Sequence, residues 1–157
     1  MTSERPPPAD PSLLVAQLRA LYDGETDAIA NAANLAAFVM QTFPALNWAG
    51  TYFVRGDDLV LGPFVGKPAV ARIARGAGVC GTAWLEARTL VVPDVHAFAG
   101  HIACDGASVA EIVVPIFRHD AVVGVFDCDS PERDRFQEAD RHALEALVAA
   151  YASGSHG

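Results

Sequence analysis

Two apolar segments late in the chain, 111–118 and 121–129, are separated only by His119 and Asp120. A connection of two residues joins antiparallel neighbours, because parallel strands need a much longer crossover. Both segments are long enough to lie in the middle of a sheet. They predict an antiparallel strand pair around which the other elements must be arranged.

The rest of the chain alternates between helical and strand-like patterns. Apolar residues at helical spacing predict helices at 12–22 and 27–41, with Ser12 as the first N-cap, and a last helix through Leu144 and Tyr151. Shorter elements are expected as strands at 47–55, 59–64, 70–73 and 89–92 and as a helix at 82–88. The expected fold is α+β: a mostly antiparallel sheet carries the N- and C-terminal helices on one face. Loops and the short helix roof a ligand pocket on the other face.

The second helix is apolar nearly all round between Leu35 and Phe43. A helix of that kind is covered on several sides. A sheet beneath it and a partner subunit above it would provide such cover, which predicts a homodimer. The alternative is that this surface is wholly internal.

Length and charge limit the functions open to the chain. Its 157 residues suit one domain, taken as 12–152, with a Pro-rich tail at 1–11 and a second tail at 153–157. The formal net charge of −8 argues against nucleic acid and against an anionic membrane surface as partners. No apolar run could span a bilayer, no signal-peptide pattern is present, and the three cysteines form no CxxC pair. A cytoplasmic protein with reduced thiols is expected.

Alternation along the strands predicts which side chains share a face of the sheet. Trp48 and Tyr52 share one face, either as ordinary sheet packing or as the aromatic wall of a ligand pocket. Asp127 and Asp129 also share a face, whereas Cys128 between them points to the opposite face and is expected in the core. Two carboxylates on one face are costly unless they meet partners or a polar ligand, which favours a pocket.

Two further cysteines are candidates for chemistry. Cys104 lies in the small and polar segment 100–108, a pattern typical of a loop, where a thiol can react or can be incidental. Cys80 precedes the helix predicted at 82–88, and a helix N-terminus favours a thiolate. An alternative is a metal site, although its spacing matches no strong zinc pattern. Its ligands would be His96, His101, Cys104 and Asp105.

Several motifs occur together, in order, between about residues 30 and 150. They are Asn47-Trp48-Ala49-Gly50-Thr51-Tyr52, Leu61-Gly62-Pro63-Phe64-Val65-Gly66-Lys67, Gly78-Val79-Cys80-Gly81-Thr82-Ala83, Asp94-Val95-His96, Gly100-His101-Ile102-Ala103-Cys104-Asp105, Glu111-Ile112-Val113-Val114-Pro115 and Asp127-Cys128-Asp129-Ser130. This set resembles a GAF domain, and more closely the free methionine-(R)-sulfoxide reductases built on that fold. The motifs around Cys80 and Cys104 favour the enzyme.

The resemblance implies a thiol-dependent reduction of free L-methionine-(R)-sulfoxide. It implies that Cys104 is the nucleophile and becomes a sulfenic acid, and that Cys80 resolves it as a Cys80–Cys104 disulfide, which thioredoxin reduces. No metal or organic cofactor is implied. The residues that match the family's pocket are Trp48, Tyr52, Glu111, Asp127 and Asp129, of which the three carboxylates are also assigned catalytic roles.

The chain departs from the family pattern at Val70, where members commonly carry a further cysteine. This difference puts the resolving step in doubt and leaves the nucleophile unaffected. A GAF fold can also serve as a sensor, because fold does not dictate function. The alternative function is therefore a non-catalytic module that binds a small molecule in the same pocket.

Overall fold

The computed structural model describes residues 5–100 and 106–156. Its elements are α1 (Pro11–Tyr22), α2 (Ala28–Thr42), β1 (Trp48–Arg55), β2 (Asp58–Val65), β3 (Arg72–Ala74), α3 (Gly78–Glu86), β4 (Leu90–Val92), β5 (Ala110–Arg118), β6 (Ala121–Ser130) and α4 (Glu138–Gly154). Across these described ranges, the strands form one antiparallel sheet in the order β3-β2-β1-β6-β5-β4. The α+β fold class is confirmed.

The β5–β6 hairpin lies near the centre of this sheet, with β4 beside β5 and β1 beside β6. His119 and Asp120 make the turn with φ values of 51° and 65°. Two successive left-handed residues match the twist of a tight hairpin and fix its register. In that register Glu111 lies opposite Asp129, and β1 places Trp48 on the other side of Asp129.

The two faces of the sheet bury different sets of residues. On one face, α1, α2 and α4 pack over a core that includes Ile112, Phe126 and Cys128. On the other face, α3 and the adjoining loops pack over Val113 and Val125. Because successive residues of β5 and β6 alternate between these clusters, the predicted helix-covered face and pocket face are confirmed.

Both leading helices are capped by aspartates. The side chain of Asp27 accepts from the first-turn backbone of α2, as its position before the helix leads one to expect. The prediction of Ser12 as N-cap of α1 is wrong. Ser12 lies inside the helix, and its backbone N–H donates to the Asp10 carboxylate at 2.8 Å. Pro11 occupies the first helical position, where its missing N–H costs nothing.

The short helix starts earlier than its sequence suggests. The glycine-rich segment 76–81 indicates a flexible turn that leads into a helix at 82–88, but α3 is Gly78–Glu86. The helix approaches β3 closely at Gly81, where a Cβ would lie 2.5 Å from the Ala74 carbonyl oxygen. Packing that only glycine allows has overridden propensity, and Cys80 therefore lies within the first turn instead of before it.

The predicted tails are shorter than expected. Residues 153 and 154 belong to α4, and the tail assignment at 153–157 is wrong for residues 153–156. Ser155 is fully buried and accepts a hydrogen bond from Asn31, while Arg118 donates to its carbonyl oxygen at 2.8 Å. These partners anchor the end of the chain beside the start of α2.

Much of the apolar surface of α2 is internal. Leu35, Ala36 and Val39 are fully buried, Phe43 is 2% exposed, and Phe38 packs half-buried against the same cluster. The sheet supplies the cover expected beneath the helix, and α1 and α4 supply part of the cover that the prediction gives to a partner subunit. The homodimer stays a prediction. Among the described residues, no helix is both long and apolar enough to cross a membrane.

Candidate active site

Three buried carboxyl groups occupy the pocket face of the central strands. Glu111, Asp127 and Asp129 are 6%, 4% and 7% exposed. Strand register brings them together, because Asp129 is flanked by Trp48 and Glu111, and Asp127 lies one pleat further along β6. Asp127 and Asp129 share a face of the sheet, as predicted, and Glu111 lies beside them.

Burial and a neighbouring charge favour the protonated form of one of these groups. Burial raises the pKa of Glu111 well above its ordinary value of 4.5, and the nearby charge of Asp127 raises it further. Glu111 also shares hydrogen bonds with Asp127, which raises this pKa, and with Asp129, which lowers it. These effects favour the protonated form of Glu111, which can donate its proton to a basic atom in the pocket.

The thiol of Cys80 lies against this carboxyl cluster. Its Sγ donates to Oε2 of Glu111 at 4.0 Å, and Cys80 is only 5% exposed. One ligand atom each from Cys80, Glu111 and Asp127 lie within 4.8 Å of one another, so these three residues could hold a metal ion. The same arrangement also suits proton transfer between a thiol and a carboxylate.

The remaining cysteines differ in what the structure says about them. Cys128 is fully buried on the helix side, where burial and the charge of Asp127 raise the pKa of its thiol well above 9.0. It lies in the helix-side core, as its parity predicted, and burial there disfavours the reactive thiolate. Cys104 lies outside the described residues, together with His101 and Asp105. Two statements about Cys104 therefore stay predictions. One is that it converges with the carboxylates, and the other is that it forms a metal site with His96, which is exposed.

An aromatic wall borders the carboxylates. The Trp48 ring stacks on Tyr52 at 6.1 Å and on Phe64 at 5.3 Å between ring centroids. Its Nε1–H donates to the Lys67 carbonyl oxygen at 3.0 Å, and the Tyr52 hydroxyl donates to that of Val70 at 2.8 Å. The predicted wall is present. Its two polar groups, the Trp48 N–H and the Tyr52 hydroxyl, bind backbone carbonyls at Lys67 and Val70 and hold that segment in place.

Sequence reasoning missed Phe64 and the glycines that admit the Trp48 ring. A Cβ on Gly66 would lie 2.4 Å from the Trp48 ring, and one on Gly50 would lie 2.7 Å from it. A glycine inside a strand pattern often marks such a close approach, so Gly50 carried a usable signal. The pairing of Phe64 with Gly50 needed the strand register.

A separate surface cleft of about 890 Å³ lies between α4 and the edge of β5. Two of its three arginines form ion pairs, and the third, Arg118, donates to the Ser155 carbonyl oxygen at 2.8 Å. Arg88 contacts Glu86 at 2.9 Å, and Arg141 contacts both Glu138 and Glu145. Exposed pairs of this kind contribute little and leave little charge for a ligand. The carboxyl cluster is the stronger candidate for chemistry.

Comparison with known proteins identifies the fold and points to the chemistry. Residues 17–153 match the family model described as the GAF domain. The free methionine-R-sulfoxide reductase of Escherichia coli is 47% identical over 130 residues, which cover 83% of this chain and 79% of the relative. The yeast protein of the same name, from Saccharomyces cerevisiae, is 39% identical over 143 residues, covering 86% and 79%.

Solved structures are similar over nearly the whole chain. The structure of Staphylococcus aureus fRMsr in complex with substrate has a TM-score of 0.89 and 44% identity, covering 98% of this chain and 99% of that one. The free methionine-R-sulfoxide reductase of Neisseria meningitidis in complex with its substrate has a TM-score of 0.87 and 39% identity, covering 98% and 95%. These similarities extend across the sheet that carries the carboxyl cluster.

Proposed function

This chain belongs to the GAF-domain family and, within it, to the free methionine-(R)-sulfoxide reductases, and we propose that it reduces free L-methionine-(R)-sulfoxide to L-methionine at the carboxyl cluster. The observation that carries this proposal is the buried set of Glu111, Asp127 and Asp129 beside Trp48 and Cys80. A pocket of this composition suits a small zwitterion with an apolar methyl group.

Each part of the substrate has a partner suited to it. Ionised carboxylates among the three acids bind the ammonium group, because burial strengthens the attraction of opposite charges. The Trp48 ring, held by stacking contacts with Tyr52 and Phe64, offers a rigid apolar surface to the S-methyl group. A peptide-bound sulfoxide lacks the free ammonium group and would leave buried carboxylates uncompensated, so it should be a poor substrate.

The proposed reduction starts at Cys104. Its thiolate attacks the sulfoxide sulfur, and Glu111, which holds a proton, transfers it to the sulfoxide oxygen. The oxygen passes to Cys104 as a sulfenic acid, methionine leaves, and Glu111 is left as a carboxylate. The sulfoxide sulfur gains two electrons and Cys104 loses them, so the step balances.

The second half of the cycle regenerates the thiol. Cys80 attacks the Cys104 sulfenic acid, water leaves, and a Cys80–Cys104 disulfide forms. A dithiol such as thioredoxin then reduces this disulfide by exchange in a cytoplasmic, reducing setting. Val70 supplies no thiol at the position where relatives commonly have one, which leaves this role to Cys80.

Chiral analysis of a reaction with racemic methionine sulfoxide and dithiothreitol tests the proposal. We expect loss of the R epimer of the free amino acid, no loss of the S epimer, and little reduction of sulfoxide within a peptide. Cys104→Ser should abolish the reaction, whereas Cys128→Ser, which alters a core thiol, should leave it intact. Loss of the S epimer, or equal reduction of peptides, would refute the assignment.

The sensor alternative makes the opposite prediction. A non-catalytic module would bind a small molecule in the same pocket and would release no methionine from either epimer. Binding measured by calorimetry without any turnover would therefore favour the sensor.

A further inference from the structure

The pairing of β1 with β2 is irregular at the border of the pocket. The register shifts beside Gly50, where one residue of β1, Thr51, lies opposite two residues of β2, Gly62 and Pro63. Two residues opposite one make a β-bulge, which often occurs beside active sites and re-aims a side chain. The proline agrees with this, because proline in a sheet is largely confined to edges, strand starts and bulges.

The bulge decides which face of the sheet Phe64 occupies. Side chains alternate along a regular strand, so two residues as far apart as Leu61 and Phe64 would point to opposite faces. Both nevertheless pack against the same pocket-side cluster, which includes Trp48 and Tyr52. The extra residue in the bulge accounts for this. Without it, Phe64 would point away from the Trp48 ring, on which it stacks with 5.3 Å between ring centroids.

The Thr51 hydroxyl holds the bulge in place. Thr51 is fully buried, and its hydroxyl donates to the Pro63 carbonyl oxygen at 3.0 Å. The strands come this close because the other bulge residue is glycine. A Cβ on Gly62 would lie 2.7 Å from Thr51 Oγ1 and 2.6 Å from the Phe53 ring. Since Thr51 has no exposed surface, water has no access to replace its hydroxyl, and the bulge depends on this bond.

Three contacts restrain the Trp48 ring. Its Nε1–H donates to the Lys67 carbonyl oxygen at 3.0 Å, Phe64 stacks on it at 5.3 Å, and Tyr52 stacks less closely at 6.1 Å. If Phe64 moved, the ring could tilt about its hydrogen bond and still remain in the wall. Loss of that support should therefore change the shape of the pocket without removing its aromatic surface.

We infer that Thr51 is a positioning residue, which acts through the bulge and Phe64 to fix the Trp48 ring and thereby limits the S-alkyl group that the pocket accepts. The inference rests on the proposed function, in which this ring meets the S-methyl group. A fixed ring gives no room to a longer alkyl chain, whereas a ring that tilts can yield to one. The wild type should therefore prefer methionine sulfoxide to its S-ethyl homologue by about 10–200-fold, the usual effect of one methylene in an apolar pocket.

The preference between two substrates measures this role, because a purely structural loss lowers the rate with both substrates alike. The ratio of kcat/KM for methionine sulfoxide to kcat/KM for ethionine sulfoxide is measured with dithiothreitol in Thr51→Val, Thr51→Ser and Phe64→Leu. Thr89→Val is the matched control, since the Thr89 hydroxyl donates to Glu145 at 2.9 Å beside α4, outside the pocket.

We expect Thr51→Val and Phe64→Leu to reduce the preference for the methyl substrate by a factor of about 3–10. Their KM for methionine sulfoxide should rise with little change in kcat, because the ring contacts the methyl group equally before and during the reaction. Thr51→Ser, which keeps the hydroxyl, and Thr89→Val should retain the wild-type preference. A full preference in Thr51→Val, or an equal loss in Thr51→Ser, overturns the inference.

Hydrogen exchange of the Trp48 indole N–H tests the same role without any turnover. The chain has two tryptophans, so Trp84→Phe assigns the two indole signals in an NMR spectrum. Thr51→Val should speed exchange of the Trp48 signal relative to the slowest backbone amides, which report global unfolding. Thr51→Ser should match the wild type. Unchanged relative exchange in Thr51→Val contradicts the positioning role.

Failure of the inference differs from failure of the proposed function. If the wild type releases no methionine from the sulfoxide, the proposed function fails, and indole exchange alone decides whether Thr51 fixes the ring. If methionine is released and Thr51→Val keeps the wild-type preference, only the role of Thr51 is wrong. Should Thr51→Val not fold, Phe64→Leu decides: an unchanged preference refutes the inference, because the bulge would then position nothing that the pocket uses, and a reduced one supports it.

Discussion

Gly50 tests the geometry of the pocket more directly than any charged residue. It lies in β1 opposite Phe64 of β2 and Asp127 of β6. An added Cβ would lie 2.3 Å from the Phe64 Cβ, 2.9 Å from the Phe64 Cα and 2.7 Å from the Trp48 ring. All three distances are far below ordinary contact. Because one of these atoms is backbone, a rotamer change cannot relieve the clash.

Gly50→Ala must therefore separate β1 from β2 or push Trp48 out of its stack. Overpacking a close-packed interior typically costs about 1–3 kcal/mol, and we expect about 3 kcal/mol here because backbone must move. For a chain of this size that loss corresponds to a decrease in melting temperature of roughly 6–12 °C. Displacement of Trp48 should also raise KM for methionine sulfoxide, since the methyl group loses its apolar surface.

Gly154→Ala provides the matched control. Gly154 is the last residue of α4, and a Cβ there would meet no atom within 4 Å. Alanine in a helix is favoured over glycine, so this variant should match the wild type or gain up to about 1 kcal/mol. Thermal unfolding by circular dichroism and steady-state kinetics measure both effects. The packing argument is refuted if Gly50→Ala melts within about 2 °C of the wild type, or if Gly154→Ala loses as much.

Two further predictions concern buried groups. Folding raises the pKa of Glu111. The stability that Glu111 contributes is therefore fully present below its unfolded pKa, near 4.5, and is lost as pH rises through its folded pKa. The free energy of unfolding in urea should therefore decline above about pH 5, less steeply in Glu111→Gln, whose amide stays neutral; an unchanged slope would contradict this. Cys128→Ser places a hydroxyl in the helix-side core and should lose about 1–3 kcal/mol by the same urea measurement, with normal turnover in dithiothreitol. Loss of turnover in folded Cys128→Ser would contradict its structural role.

Much of the site could be predicted from strand parity alone. Side chains alternate along any strand, so the segment 127–129 had to place Cys128 on one face and both aspartates on the other. The two-residue connection at His119 and Asp120 fixed the neighbour of that strand and hence the approach of Glu111. The motifs added the family, which the comparisons confirmed.

Other features could not be obtained in this way. Whether the apolar surface of α2 faced a partner or the molecule's own sheet depended on how the helices pack. The polar atoms of Trp48 and Tyr52 bond backbone near Lys67 and Val70, and no local pattern indicates that pairing.

The sequence by itself determined the faces of the strands, the turn between β5 and β6 and the residue types of the pocket, because these depend on covalent geometry and near neighbours. Only the tertiary structure decided that α3 begins at Gly78 and that Cys80 reaches Glu111 at 4.0 Å. The first depends on the close approach of Gly81 to Ala74 and the second on the packing of α3 against β5, both of which are contacts between separate elements. The raised pKa of Glu111 has the same origin, since burial and the charge of Asp127 act on it only after distant segments have packed together.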